Sequence, residues 1–224
     1  MNALVLRPTG DYALALARIK TNCFTANDIR LLHARERYSF LADVVQERDA
    51  WNLIDIGCGY AANLATVARH IPGLRILGVD VDPDVIEANR EQLGGIRFVQ
   101  GGVESIRLTA PGGVASCLEA IGHQNIPDDA ALLAAMKVLV PGGLVVASIG
   151  RFETTAEHVP HWYFKRSYGA AGFVNLWREA GFADVHWYGQ VYPTKRKDVI
   201  SIEPIWPCDE TFGVADFLIG VGAA

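Results

Sequence analysis

A glycine turn between an apolar run and an amphipathic run constrains this chain more than any other feature. The stretch NLIDIGCGYAANLATVARH, from Asn52 to His70, reads as a buried strand, a Gly-x-Gly-x-x-Ala turn and a helix. Gly57 and Gly59 lack a Cβ, which permits a tight turn and a close approach to a ligand, and Ala62 permits close helix packing. A strand, a glycine turn and a helix in this order predict an open α/β sheet that binds a ligand beyond the carboxyl ends of its strands.

The same alternation continues along most of the chain. Short runs rich in Val, Ile and Leu alternate with amphipathic segments, which predicts right-handed βαβ units and a parallel sheet covered by helices on both faces. The seven predicted strands are Leu53–Ile56, Arg75–Val79, Ile96–Gln100, Gly113–Leu118, Leu144–Ile149, Ala183–Gly189 and Ala215–Val221. The predicted helices are Asn63–His70, Pro83–Leu93, Asp128–Leu139 and Gly172–Ala180.

Two segments fall outside this rhythm, and they define the predicted domain organisation. Residues 1–50 look helical, and the segment after the fifth strand is crowded with aromatic residues and histidines. A chain of 224 residues, half of them hydrophobic, has enough material for one sizeable core. We therefore expect a single domain, with residues 1–50 as a helical cap and 51–224 as a core that carries a substrate-cap insertion at about 151–170.

Composition narrows the function classes. The formal charge of −5 and a pI near 5.7 argue against a non-specific nucleic-acid binder, and we interpret the basic cluster Lys195-Arg196-Lys197 as a solvated hairpin tip. The four cysteines are scattered without metal-ligand spacing, so neither a metal site nor a disulfide framework is indicated. The chain has no apolar run long enough to span a membrane and no leader pattern. We expect a soluble, cytoplasmic protein.

The acids near the turn bear on the cofactor. Asp80 ends the second strand about 20 residues after the turn, the spacing at which an acid binds ribose hydroxyls. This arrangement suits a nicotinamide dinucleotide as well as S-adenosylmethionine. Asp55 shifts the balance, because an acid two residues before Gly57 repels a pyrophosphate and attracts a ligand that carries an ammonium and a sulfonium group.

At this point the sequence resembles the class I S-adenosylmethionine-dependent methyltransferases, in particular the small-molecule, secondary-metabolite type. Four stretches carry the resemblance, in order: LIDIGCGYAANLA, ILGVDVDPDVI, IRFVQGGVES and LLAAMKVLVPGGLVVAS. The resemblance is strong over about residues 50 to 150 and looser over FVNLWREAGFADVHWYG. It implies a Rossmann-like sheet of seven strands in which the last strand is antiparallel and inserted between the fifth and the sixth.

The resemblance also implies a set of cofactor-binding residues. Asp55, Gly57 and Gly59 would hold the methionine portion, Asp80 the ribose, and Val81 would pack on the adenine. Many relatives carry an acid for the adenine amino group after the third strand, where this chain has Gly102, so we expect Gly102, Val103 or Glu104 to substitute. Cys58 and Leu118 complete the predicted set. Asp82 is interpreted as the cap of the helix that opens at Pro83.

Residues after the fourth strand lie beside the transferred methyl group in this family, which brings forward Glu119, His123 and Gln124. Glu119 can bind a cationic amine or relay a proton, and His123, with an ordinary pKa near 6.5, can act as a base near neutral pH. An ordinary hydrogen-bonding role for the histidine stays open. Methyl transfer needs donor and acceptor in line and water excluded, and a base only where the acceptor carries a proton to lose.

The two cap segments supply further candidates. FETTAEHVPHWYFKRSY contains His158, His161, Trp162, Tyr163 and Tyr168, which suit a flat, partly apolar acceptor or else form a lid that packs on the core. In the N-terminal segment, Tyr12, Phe24 and Tyr38 are candidates to lie over the pocket. Arg35 or Arg37 is a candidate partner of the cofactor carboxylate.

The sequence thus favours methyl transfer from S-adenosylmethionine to a nitrogen or oxygen of a small-molecule acceptor, with no metal. A methyltransferase acting on RNA or protein, an NAD(P)-dependent oxidoreductase and a non-catalytic cofactor-binding protein are the alternatives. A homodimer is compatible with the sequence.

Overall fold

The computed structural model describes residues 26–118, 120–150, 166, 168–191, 202–204 and 215–224. The five helices in these residues are α1 (Ala26–Glu47), α2 (Ala62–His70), α3 (Pro83–Gln92), α4 (Asp129–Leu139) and α5 (Ala170–Glu179). The eight strands are β1 (Asn52–Ile56), β2 (Arg75–Asp80), β3 (Arg97–Gln100), β4 (Val114–Leu118), β5 (Leu144–Gly150), β6 (Val185–Gln190), β7 (Ile202–Pro204) and β8 (Phe217–Ala223). A single 3₁₀ turn, Val103–Ser105, follows β3.

All eight strands form one sheet with the order β3-β2-β1-β4-β5-β8-β6-β7. Strands β1 to β5 pair in parallel, and β8 pairs antiparallel with both β5 and β6. This confirms the α/β Rossmann-like architecture, the seven predicted strands and the insertion of the last strand between the fifth and the sixth. The eighth strand, β7, was not predicted: three residues pair with β6 at the sheet edge, which is too short a run to produce a periodic signal.

The core has two layers because the strands alternate their side chains between two helical faces. Leu53 faces a cluster that contains α1, α2 and α3 residues, whereas its neighbour Ile54 faces the cluster of α4 and α5. Trp177 of α5 lies fully buried against β8, where a Cβ built on Gly220 would come within 2.7 Å of its ring. The sheet is therefore covered on both faces, as the sequence predicts.

The helix ends follow the local sequence signals. Asp82 accepts a hydrogen bond from the amide of Asp84 at 3.0 Å and so caps α3, as predicted. Asp128 caps α4 in the same way through Ala131, also at 3.0 Å, so the helix begins one residue later than predicted. These caps place the polar ends of both helices at the carboxyl edge of the sheet.

The structure describes part of each of the two predicted cap segments. The predicted helical character of residues 1–50 is confirmed over α1, and residues 1–25 lie outside the described residues. Residues 151–165, most of the predicted substrate cap, lie outside them as well. No helix among the described residues is long and apolar enough to cross a membrane.

Candidate cofactor and acceptor site

The glycine turn after β1 takes a conformation that requires its glycines. Gly57 has φ +70° and Gly59 has φ +49°, both in the left-handed region. A Cβ on Gly57 would also come within 2.7 Å of the Cβ of Ala120, on the loop after β4. The turn is therefore packed directly against the neighbouring strand end.

Asp80 is held at the end of β2 by two backbone amides. Gly59 donates to its Oδ2 at 2.9 Å, and Asp82 donates to its Oδ1 at 3.0 Å. Each carboxylate oxygen has capacity for a further hydrogen bond. The carboxylate is thus oriented by the turn and can still accept from a ligand that carries a pair of hydroxyl groups.

Asn89 is a residue of this site that the sequence did not single out. Its side chain is buried, donates to the carbonyl of Gly59 at 2.7 Å and accepts from the amide of Ala61 at 3.1 Å. It belongs to α3, where it shares the buried side with Val85 and Ile86. A polar residue on an apolar helix stripe was the signal that could have found it.

Four backbone amides of the turn already have partners inside the protein. The amides of Gly57 and Cys58 both donate to the carbonyl of Val79, at 2.8 and 3.0 Å, and those of Gly59 and Ala61 donate to Asp80 and Asn89. A pyrophosphate at a helix N-terminus needs such amides to point at it. These four amides do not point at such a ligand, which argues against a dinucleotide.

Asp55, predicted to hold the methionine portion of the cofactor, is a buried residue beside the turn, and that role stays a prediction. Its carboxylate is fully buried and accepts hydrogen bonds from the hydroxyls of Tyr38 at 2.8 Å and Ser116 at 2.6 Å. Ser116 lies opposite it in the β1–β4 register. Burial raises the pKa of Asp55 from 3.8 to about 6, against the lowering effect of these two hydrogen bonds. Asp55 does not line the cavity. Tyr38 extends from α1 and places its hydroxyl on the Asp55 carboxylate.

A cavity of about 860 Å³ lies over the strand ends and brings most of the predicted residues together. This volume falls in the range of small-molecule binding pockets. The predicted residues that line it are Gly57, Cys58, Gly59, Asp80, Val81, Gly102, Val103, Leu118 and His123. Asp82, Glu104 and Asp128 add carboxylates to the wall, so the cavity is suited to a cationic ligand.

The loop after β4 forms one wall of the cavity through residues 120 and 123–128. His123 is half-buried there, and its Nδ1 accepts from the amide of Asn125 at 3.3 Å. Burial lowers the pKa of His123, while the negative charge of Asp80 acts in the opposite direction. Gln124, also expected near the acceptor, lines the same cavity.

Comparisons with known proteins show which proteins this chain is similar to. Residues 53–143 match the family model for a methyltransferase domain. Over 149 residues, the chain is 30% identical to the mitochondrial ubiquinone biosynthesis O-methyltransferase of Schizosaccharomyces pombe, covering 58% of this chain and 54% of that protein. Residues 53–143 of this chain carry a methyltransferase domain of the class I S-adenosylmethionine-dependent type. Its cofactor is S-adenosylmethionine.

Two further similar proteins are a curated relative and a solved structure. Trans-aconitate 2-methyltransferase of Deinococcus radiodurans is 28% identical over 133 residues, covering 58% of this chain and 48% of that protein. A Thermotoga maritima structure described as a possible histamine N-methyltransferase superposes with a TM-score of 0.61 at 16% identity, covering 93% of this chain and 99% of that one. The chain spans about half the length of the curated relatives it matches.

The residues present fit the family's cofactor. Val81 is 42% exposed in the cavity wall, an unusual exposure for a large apolar side chain at a strand end and suitable for packing on a flat ring. Glu104 curls back so that the amide of Gly102 donates to its Oε1 at 3.1 Å. The Glu104 carboxylate therefore lies beside Gly102, the position at which the family resemblance implies an acid.

Arg37 also lines the cavity. Its guanidinium donates to Gln190 at 2.7 Å and lies 4.1 Å from the centre of the Phe217 ring. Gln190 belongs to β6 and Phe217 to β8, which lie four and three strands from β1. Three strands span about 14 Å at the usual strand spacing. The expected pairing of Arg35 or Arg37 with the cofactor carboxylate stays a prediction.

Several predicted residues lie outside the described part of the chain. Among the catalytic candidates these are Glu119, His158 and His161; the others are Tyr12, Phe24, Trp162, Tyr163 and the cluster Lys195-Arg196-Lys197. Tyr168 is described, and its hydroxyl donates to Asp129 at 2.5 Å and not to the cavity. Within the described residues, no group of histidine, cysteine and acidic side chains forms a metal site.

Proposed function

We propose that this chain transfers a methyl group from S-adenosylmethionine to an oxygen or nitrogen of a small-molecule acceptor. The observation that carries the proposal is the glycine turn, whose four amides are satisfied internally beside a wall of carboxylates. Such a site suits a cationic ligand with a ribose, and its four engaged amides are not free to bind a pyrophosphate.

Each part of the cofactor has a candidate partner in the cavity. Asp80 would accept from the ribose hydroxyls, since two amides fix its orientation. Val81 would pack on the adenine, and Glu104 with Gly102 would lie near the adenine amino group. The turn at Gly57 would approach the methionine portion. When bound, S-adenosylmethionine supplies a sulfonium methyl group that is displaced in line by the acceptor.

Asp55 would act from behind the turn. A buried carboxylate with a pKa near 6 is ionised at pH 7 at a cost in stability, because burial disfavours the charge. A cationic group over the turn would favour the ionised form. The hydroxyls of Tyr38 and Ser116 hold the carboxylate in place, so Asp55 would contribute a fixed negative field, with no direct contact through the cavity wall.

The acceptor would enter along the loop after β4. Gln124 and Asn125 offer amide groups for orientation, and Ile126 and Leu132 offer apolar surface in the same cavity. A volume of about 860 Å³ supports a small acceptor beside the cofactor. The name of one curated relative specifies O-methylation and another acts on trans-aconitate, which places oxygen acceptors first in a screen.

The first experiment is a thermal melt of the protein alone and with S-adenosylmethionine, S-adenosylhomocysteine or NADH. A ligand at about 100 times its dissociation constant adds roughly 2.7 kcal/mol, which raises the midpoint of a domain of this size by about 5 to 11 °C. We expect a shift with the two sulfur ligands only. A shift with NADH alone would overturn the cofactor assignment.

Matched variants sharpen this test. Asp80→Asn should weaken the shift with S-adenosylhomocysteine, whereas Asp184→Asn, at an exposed aspartate, should leave it intact. The acceptor is then sought by mass gain of one methyl group in a panel of carboxylic acids (trans-aconitate included), phenols and amines. Binding of both sulfur ligands with no turnover on any acceptor would favour a non-catalytic protein.

A further inference from the structure

A buried carboxylate lies behind the acceptor-side wall and joins three separate pieces of chain. Asp129, the first residue of α4, is 2% exposed. It accepts from the amide of Gly122 at 2.9 Å, from Nε of Arg166 at 2.6 Å and from the hydroxyl of Tyr168 at 2.5 Å. Gly122 lies in the loop after β4, and the other two donors precede α5.

Arg166 also binds the loop after β4 at a second point, Ile126. Its guanidinium donates to the carbonyl of Ile126 as well as to Asp129. Its own backbone amide donates to the carbonyl of Gly122 at 3.2 Å. The stretch between Gly122 and Ile126 is therefore fixed at both ends, and charge-assisted bonds of this kind are among the stronger ones in proteins.

His123 lies inside the fixed stretch. Its amide donates to the carbonyl of Ala120 at 3.0 Å, and its carbonyl accepts from the amide of Ile126 at 3.0 Å. The amide of Asn125 donates to Nδ1 of the imidazole. Because Nδ1 accepts, the neutral ring carries its hydrogen on Nε2, and a proton added at Nδ1 would face the Asn125 N–H.

We propose that Asp129 is a positioning residue of this site: by holding Gly122 and Arg166, it fixes the turn that presents His123 to the acceptor as a neutral imidazole with its hydrogen on Nε2. Such a ring donates a hydrogen bond to a ligand oxygen. It does not take a proton from the methyl acceptor, since Nδ1, the unprotonated nitrogen of the ring, already accepts a hydrogen bond from the amide of Asn125. The kinetic consequence rests on the proposed function, whereas the state of the ring does not.

The charges around the ring are compatible with this assignment. Burial lowers the pKa of His123, and the Asp80 carboxylate, which lines the same cavity, acts in the opposite direction. On the loop side the charged groups are Asp128, which caps α4, and the Asp129–Arg166 pair. The hydrogen bond to Nδ1 and the burial of the ring both favour the neutral imidazole of His123.

The test is ¹⁵N NMR of the imidazoles in the full chain labelled at histidine, with S-adenosylhomocysteine present. The chain has six histidines, and His123→Gln identifies one signal by its loss. We expect the Nε2-protonated tautomer and a titration midpoint below 6.5 for His123. In Asp129→Asn we expect mixed tautomers and a midpoint that moves up toward 6.5. Tyr168→Phe, which removes only one donor, should shift both readings in the same direction by less.

Asp184→Asn is the matched control and should leave the His123 signal unchanged. A wild-type ring protonated at Nδ1, or one with a midpoint at or above 6.5, would overturn the proposal. So would an unchanged signal in folded Asp129→Asn; if that variant does not fold, an unchanged signal in Tyr168→Phe does the same.

With an acceptor from the panel, Asp129→Asn should raise the acceptor KM at least ten-fold and leave the dissociation constant of S-adenosylhomocysteine within two-fold. A structural role alone would not separate these two constants. If His123→Gln lowered turnover by the 10² to 10⁴ typical of a lost general base, and wild type showed a matching pH limb, the neutral-donor role would be refuted. Failure of every protein to bind S-adenosylhomocysteine would instead refute the proposed function and leave the NMR result standing.

Discussion

Replacement of Gly57 by alanine tests how tightly the turn is built against the neighbouring strand end. Two costs add. The residue has φ +70°, a conformation that costs an L-residue about 1–2 kcal/mol. Its new Cβ would lie 2.7 Å from the Cβ of Ala120, and such overpacking costs about 1–3 kcal/mol. We expect Gly57→Ala to lower the free energy of unfolding by about 2–5 kcal/mol, or the melting midpoint by about 4–20 °C.

Two controls separate these costs. Gly73 has φ +88° and nothing within 4 Å of a built Cβ, so Gly73→Ala reports the backbone cost alone. Ala120→Gly removes the colliding atom, so a double-mutant cycle with Gly57→Ala should give a favourable coupling of about 1–3 kcal/mol. Urea unfolding of the four proteins measures it. If Gly57→Ala costs no more than Gly73→Ala, or if the coupling is near zero, the close approach described here is wrong.

Three further predictions concern side chains around the turn. The pKa of Asp55 is raised to about 6, so between about pH 4 and pH 6 the folded state binds a proton that the unfolded state does not. This group therefore makes the free energy of unfolding fall by about 3 kcal/mol as the pH rises from about 4 to 6. Asp55→Asn does not titrate, so its melting midpoint relative to wild type should rise between pH 4.5 and 7.5, and an opposite trend contradicts the burial. Asn89→Ala leaves the carbonyl of Gly59 and the amide of Ala61 without their partner, which should cost about 2–4 kcal/mol in urea unfolding. Asp82→Ala loses one exposed cap bond and should cost only about 1 kcal/mol; equal costs for these two variants would contradict the role given to Asn89.

The sequence predicted the elements of the fold closely where the signals were local. The seven strands were predicted to within two residues at each end, because buried strands appear in the sequence as short apolar runs bounded by glycine and proline. The cap at Asp82 was equally readable, since an N-cap bond joins residues two apart. The glycine turn, Asp80 and the loop after β4 could be placed at one edge because parallel strands end together.

Other features depend on contacts between distant parts of the chain, and the tertiary structure alone decided them. Asp55 accepts a hydrogen bond from Ser116, 61 residues away, and is fully buried. Asp129 accepts a hydrogen bond from Tyr168, 39 residues away, and so helps to fix the loop that carries His123. Spacing and periodicity report which face a residue occupies, but hydrogen-bond partners across a sheet are chosen by register and loop packing. The sequence by itself determined the sheet, the turn and the edge where the cavity lies, and the packed structure decided which carboxylates line that cavity and which ones hold its walls in place.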